Sequence, residues 1–301
     1  MTTKFKPLLI LVSGIFFMQS CGDDDKSPAA DVLVTSNRQT GAFYKIDQKT
    51  GDTTKIFTPT VTGSTLTDVR AFVYHKGEDM FFASANSYLS ENTKVHSTAG
   101  VSNRLGFLYK MNPKTKVASV INANDGNGGE YAVWDAINNW AVAEDDSLVA
   151  IGDFNGDGNG IVKFGTDGGR SLKTKEVDIC CGNGLLYDAK TDVLTVSSSW
   201  DTDDGEIDIV TIEGGEITAT TTITTFTGFP ETVTDSWLTM KALAVNKKGV
   251  VFGLLYHYDE ARTYLVTVDM VGEEITFMAK LGNDYDHQFN NLAFIPAKYA
   301  K

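Results

Sequence analysis

With 39 acidic and 26 basic residues among 301, the chain carries a formal net charge of −13. That balance excludes a nucleic-acid partner, whose phosphates demand clustered Lys and Arg, and it supplies no basic patch for an anionic lipid surface. Three cysteines, two of them adjacent, cannot build a disulfide framework.

The N-terminus sets Lys4 and Lys6 before an apolar run from Pro7 to Met18. A basic start and a short apolar core are the layout of a secretory leader, and the run falls short of the roughly 20 apolar residues that a membrane-spanning helix needs. It closes in Met18-Gln19-Ser20-Cys21-Gly22. A large apolar residue three places before Cys, a small one just before it and Gly after it resemble a bacterial lipobox, with Gln19 departing from the usual small residue. The resemblance implies a signal peptide over residues 1–20 and a lipid on Cys21, so that the lipid itself makes the membrane attachment. An ordinary leader with an incidental Cys is the plainer alternative. Residues 21–30 read as an acidic, flexible tether, because Gly22-Asp23-Asp24-Asp25-Lys26-Ser27-Pro28 offers little apolar surface to bury. A Cys followed at once by acids is also similar to the export tag of lipoproteins displayed by some double-membraned bacteria. That implies an outer-membrane position on the cell surface, with a periplasm-facing one as the alternative. Loss of Lys4 and Lys6 with the leader takes the net charge from −13 to −15.

The remaining residues 31–301, about 270 in number, suffice for one large β domain or two small ones. Helical periodicity is nearly absent; short alternating or β-branched runs between Gly, Asn and Asp clusters predict an all-β fold. Three strands come first, over 31–34, 42–47 and 53–57. Four-strand units follow over 69–74, 79–84, 106–111 and 117–121; over 140–143, 148–151, 160–164 and 175–179; over 185–188, 193–196, 207–212 and 217–220; and over 242–245, 250–254, 263–268 and 275–278. One orphan strand, 291–296, ends the chain. Four-stranded units of roughly 40 to 50 residues predict a β-propeller. The segment Leu108-Tyr109-Lys110-Met111-Asn112-Pro113-Lys114-Thr115, echoed by Phe43-Tyr44-Lys45-Ile46-Asp47-Gln48-Lys49-Thr50-Gly51, is similar to the third-strand and turn motif of many bacterial propellers. The expected architecture is therefore a single propeller of five blades, the orphan strand supplying the first strand of the N-terminal sheet and so removing exposed edges. A pair of β-sandwiches, or further blades hidden across 84–105 or 219–240, are the alternatives.

In a propeller, the loops entering the inner strands and those joining second to third strands converge on one face of the central channel. The first set carries Asp68 and Arg70, Trp134 and Asp135, Cys180 and Cys181, Asp235 and Trp237, and Asp286 and His287. The second carries Arg38, Asn86 with Tyr88, Asp153 with Asn155, Trp200 with Asp201, and Tyr256 with His257. From these, Asp68, Arg70, Trp134, Asp135, Trp200, Asp235, Trp237, Tyr256, His257 and His287 are the candidate ligand-binding residues. Aromatic rings beside carboxylates suit sugar recognition, the ring stacking on a pyranose while the acids bind hydroxyls; they also suit a cationic or peptidic ligand. Filling blade interfaces and capping turns is the competing role for each of them. Cys180 and Cys181 form either a strained vicinal disulfide or buried thiols.

Asp153-Phe154-Asn155-Gly156-Asp157-Gly158-Asn159-Gly160 sets oxygen side chains at alternate positions before a Gly bend, a pattern able to wrap a hard cation. It resembles the calcium loop of integrin-like FG-GAP repeats, which implies Ca²⁺ on Asp153, Asn155 and Asp157. Ile161 stands where that pattern wants another acid, and a Gly-rich hairpin turn is the alternative. The acidic run over 201–206 reads as a solvated turn.

No Gly-x-Ser-x-Gly elbow and no His-Glu-x-x-His helix is present. The expected function is ligand binding by a surface-exposed lipoprotein, the partner being an extracellular glycan, peptide or protein. A glycoside hydrolase is the catalytic alternative, since some five-bladed propellers use paired carboxylates, for which Asp68, Asp135, Asp235 and Glu231 are the candidates. A scaffold for a protein partner is the third reading.

Overall fold

The computed structural model describes residues 31–61, 63–67, 69–85, 107–121, 123–124, 130–131, 140–143, 145–153, 159–167, 170–173, 177, 179, 184–198, 205–230, 233, 237–258, 260–282 and 289–301. They form a five-bladed β-propeller. From inner to outer strand, blade 1 holds Ala293–Pro296, Asp31–Ser36, Phe43–Ile46 and Thr53–Phe57. Blade 2 holds Val69–His75, Met80–Ala85, Phe107–Met111 and Val117–Ile121. Blade 3 holds Ala141–Val142, Leu148–Asp153, Asn159–Phe164 and Arg170–Lys173, and blade 4 Leu185–Asp188, Val193–Ser198, Ile207–Glu213 and Glu216–Ile223. Blade 5 holds Leu238–Val245, Val251–His257, Arg262–Asp269 and Glu274–Leu281.

The ring closes as the strand count requires. The C-terminal strand lies antiparallel to the N-terminal one, Leu33 opposite Phe294 and Val34 opposite Ala293. It touches the inner strands of both blade 2 and blade 5, and each remaining inner strand touches the next around the circle. Two sandwiches would break that circle into separate stacks, so the ring overturns the sandwich alternative.

Repeated turn chemistry makes the blades alike. Between third and fourth strands, the side-chain oxygen of Asp47, Asn112 or Asp269 accepts from two backbone amides just ahead: those of Lys49 and Thr50 at 2.7 and 3.1 Å, of Lys114 and Thr115 at 2.9 and 3.1 Å, and of Val271 and Gly272 at 3.0 and 2.9 Å. These are Asx turns, the physical content of the motif read at Asp47 and Asn112. Four residues on, the chain takes the left-handed region, at Gly51, Lys116 and Glu273. Gly51 is the position where this matters most: a Cβ there would fall 1.9 Å from that of Ala279 in blade 5. Between first and second strands, Asp79, Asp146 and Asp192 take positive φ of 50, 61 and 55°, a conformation that short polar side chains tolerate.

Both faces of a blade contribute to the core, because alternate residues of a strand point into two different interfaces. In the second strand of blade 2, Phe81, Ala83 and Ala85 pack toward blade 1 and Phe82 toward blade 3. Five apolar clusters result, one at each blade junction. Among the described residues the buried apolar side chains are shared out over these junctions rather than gathered in one central core, so stability is distributed around the ring.

Three details differ from the pattern read along the chain. The fourth strand of blade 3 is Arg170–Lys173 rather than 175–179. Val177 and Ile179 are apolar because they fill the blade 3–4 junction, not because they extend a ladder. The described residues of the stretch 219–240 form no further blade: Glu216–Ile223 completes blade 4 and Thr225–Thr227 adds a parallel strand to the outer edge of blade 5. Thr60–Val61 does the same for blade 2. The stretch 86–106 lies outside the described residues.

Asp79 ties the C-terminus to this frame. Its carboxylate accepts from the hydroxyls of Tyr74 at 2.7 Å and Tyr299 at 2.6 Å, and Tyr299 belongs to the 3-10 turn, Ala297–Tyr299, that follows the closing strand. The two tyrosine hydrogen bonds, Tyr299 foremost, hold the Asp79 carboxyl below its ordinary value of 3.8. A depressed carboxylate stabilises the fold above its unfolded pKa and ceases to as pH falls through the folded value. Asp79→Asn, which keeps the tolerance for positive φ, is expected to cost about 1 kcal/mol at pH 7, a figure discounted for the partial exposure of the group. The difference from the parent should vanish in strong acid. Urea melts at pH 7 and in the acid limb check both halves.

Candidate functional site

The face predicted to carry the site is most fully described in blade 5. Leu238, the first residue of the inner strand, pairs with His257, the last residue of the second. That register brings the two kinds of loop side by side: the Tyr258 amide donates to the Trp237 carbonyl at 3.1 Å. Their rings stack, centroids 4.7 Å apart and planes 23° from parallel, and Tyr256 meets Tyr258 edge-on at 4.8 Å. The Trp237 side chain is held from one side and still 50 % exposed. Tyr256 is buried, and burial, followed by the neighbouring Tyr258, raises its phenol above the usual value.

Lys241 completes the cluster through a backbone irregularity. Met240 faces Leu255 and Ala242 faces Leu254, so Lys241 is the extra residue of a β-bulge, a device that re-aims a side chain. Its ammonium donates to the Tyr258 hydroxyl at 3.3 Å and lies 5.5 and 5.4 Å from the ring centres of Tyr256 and Tyr258. Cations favour such ring faces. No carboxylate pairs with Lys241 among the described residues.

Blade 2 repeats the backbone device. Val69 faces Ala85 and Ala71 faces Ser84, leaving Arg70 as the bulged residue. In both blades a serine of the preceding blade's second strand grips the carbonyl just before the bulge: Ser36 donates to Val69 at 3.4 Å and Ser197 to Met240 at 2.9 Å. Asn291 reinforces the first, donating to Val69 at 3.1 Å. These buried hydroxyls fix the bulges to neighbouring blades, so both basic residues sit on frames braced across a junction.

Of the residues singled out in the sequence, Trp237 and Tyr256 come together through Tyr258; His257, next along the strand, lies beside Tyr264, and Arg70 occupies the matching place in blade 2. His257 is buried; its Nδ1 accepts from the Glu260 amide at 3.1 Å, and its Nε2 meets no partner among the described residues. His75 uses the same turn lock, accepting from the Glu78 amide at 3.0 Å, which assigns both rings to turn geometry. Asp153 ends the second strand of blade 3, paired with Asn159. Asn155, Asp157, Asp68, Trp134, Asp135, Trp200, Asp235, His287, Cys180, Cys181 and Cys21, the predicted lipidation site, lie outside the described residues, as do the hydrolase candidates and the calcium loop built on them.

Lys241 and Tyr258 escape the sequence reading. The signal for the first was a lone charge inside the apolar run Leu238–Val245; that for the second was a third aromatic beside Tyr256 and Trp237 across the strand pair.

No known family model matches the chain, and no curated relative does. Among solved structures it is similar to a gluconolactonase from Xanthomonas campestris, at 12 % identity over 85 % of this chain and 83 % of that one, with a TM-score of 0.47. It is also similar to an endo-arabinase from Bacteroides thetaiotaomicron, at 14 % identity over 76 % and 85 %, with a TM-score of 0.47. A periplasmic gluconolactonase from Pseudomonas aeruginosa matches at 8 % identity over 83 % and 82 %, with a TM-score of 0.44.

Proposed function

We propose that this propeller is the ligand-binding domain of a lipoprotein anchored through Cys21 in the outer membrane and turned to the outside, and that it holds an extracellular glycan on the blade 5 end of its channel face. The observation that carries the reading is the half-exposed Trp237 indole backed by Tyr258. A large apolar ring left open to water costs free energy unless something covers it, and a second ring behind it fixes its plane. A flat, pre-oriented ring bordered by phenol hydroxyl and ammonium matches a pyranose, apolar on one face and polar at its rim. A peptide presenting an apolar side chain is the runner-up, since the same ring would accept it.

A glycan array probed with the protein tests the reading. Trp237→Ala is expected to weaken binding about tenfold or more, as loss of a central aromatic anchor does, with the melting temperature nearly unchanged because the ring lies outside the junction clusters. Equal binding by parent and variant would refute it. Product formation from a bound oligosaccharide would instead favour the hydrolase.

A further inference from the structure

The cluster holds a positive charge that packing alone does not require. The inner strand of blade 5 reads Leu-Thr-Met-Lys-Ala-Leu-Ala-Val; Leu238, Thr239, Met240, Ala242, Leu243 and Ala244 are buried. Lys241 is the charged member of that strand, and it stands on the one residue the ladder skips. A methionine would fill the aliphatic part of the same space. The ammonium is instead held over two tyrosine rings and bonded to one phenol, and no carboxylate neutralises it among the described residues. This occurs in a chain of net charge −13, where acids to pair with are plentiful. One of these rings also borders the open indole: Tyr258, whose hydroxyl accepts the hydrogen bond of the Lys241 ammonium, is the ring on which Trp237 stacks. Platform and cation are therefore one tyrosine ring apart.

We propose that the sugar taken by this face is anionic, and that Lys241 binds its carboxylate or sulfate while Trp237 carries its ring. The inference rests on the glycan reading above. The charge balance narrows it further. The acidic surface repels a long polyanion, but screening at physiological salt confines that repulsion to within about 8 Å of the surface charges. A neutral oligosaccharide bearing a single acidic unit meets the local cation and escapes most of the repulsion. A charge-assisted hydrogen bond in a site walled by aromatic rings then discriminates it from its neutral counterpart.

The test uses matched oligosaccharides of one backbone, ending in glucose, in glucuronate or in a sulfated hexose, titrated calorimetrically against the protein at fixed ionic strength. The parent protein is expected to bind at least one charged form about tenfold more tightly than the neutral one. Lys241→Met should bring the charged form down to the neutral level, Lys241→Arg should keep most of the preference, and Trp237→Ala should weaken charged and neutral forms alike. The carboxylated and sulfated arms decide which anion is meant. Equal affinity for charged and neutral forms of the parent would overturn the anionic assignment while leaving the glycan reading intact, and needs no variant. A preference that survives in Lys241→Met would overturn the role of Lys241. Failure of every sugar to bind, or tighter binding of a glutamate-rich peptide, would overturn the glycan reading and this inference with it.

Discussion

Truncation after residue 290 is expected to abolish cooperative folding. The lost segment supplies the inner strand of blade 1, so the strand Asp31–Ser36 becomes an open edge with unpaired amides and carbonyls. Its side chains serve two junctions at once. Ala293, Ile295 and Tyr299 belong to the cluster between blades 1 and 2, and Leu292 to the one between blades 5 and 1. Ile295 is completely buried and Leu292 nearly so. Burying a side chain of that size contributes about 1.5–3 kcal/mol, while a whole domain has only about 5–15 kcal/mol to lose. Asn291 goes as well, and with it the bonds to Ser36 and Val69 that brace the first bulge. Circular dichroism melts of the chain ending at 290 should show no sharp transition. Ile295→Asp, which keeps the strand but buries a charge, should come close to the same result. A sharp melt at the parent temperature in the truncated chain would mean that the ring is not held shut by its tail.

That closure was legible because strands can be counted: one sheet short of its first strand and one strand left over at the other end. The blades were legible because a period of two marks each strand, and because Asp47 and Asn112 sit where Asx turns need them. Other features arise only when blades meet. Thr60–Val61 and Thr225–Thr227 are too short to show a period, and they become strands by lying parallel to the outer edge of the next blade. Val177 and Ile179 alternate like a strand, yet their burial comes from a junction. The site divides the same way. Trp237 stands out as an aromatic at the mouth of an inner strand. The partnership of Trp237 with Tyr258, and the position of Lys241, follow from a cross-strand register and a bulge, the bulge held by Ser197 of blade 4.

Phe72→Ala is expected to be among the most damaging single truncations of a side chain. Phe72 is 1 % exposed and stands at the centre of a chain of rings crossing the junction of blades 1 and 2. It lies 4.6 Å from Phe43 and 5.0 Å from Phe81; Phe43 stacks on Phe57 at 4.7 Å, and Phe81 meets Tyr299 edge-on at 5.8 Å. Two strands of blade 1, two of blade 2 and the C-terminal turn thus read one another's position through these rings. Removing the middle one leaves a cavity that rigid sheets on both sides cannot collapse to fill, so the cost should reach about 3–5 kcal/mol. In a domain of this size that lowers the melting temperature on the order of 10 °C. Phe72→Leu, which restores most of the volume without the ring geometry, should recover over half of the loss. The junction is also where the closing strand docks, so the damage should extend beyond a local void. Asp79, which gathers Tyr74 and Tyr299 beside Phe81, should lose part of its own contribution in the Phe72→Ala background. A double-mutant cycle of Phe72→Ala with Asp79→Asn measures that coupling directly. Strict additivity of the two losses would show the aromatic junction and the C-terminal latch to be separate devices rather than one joint.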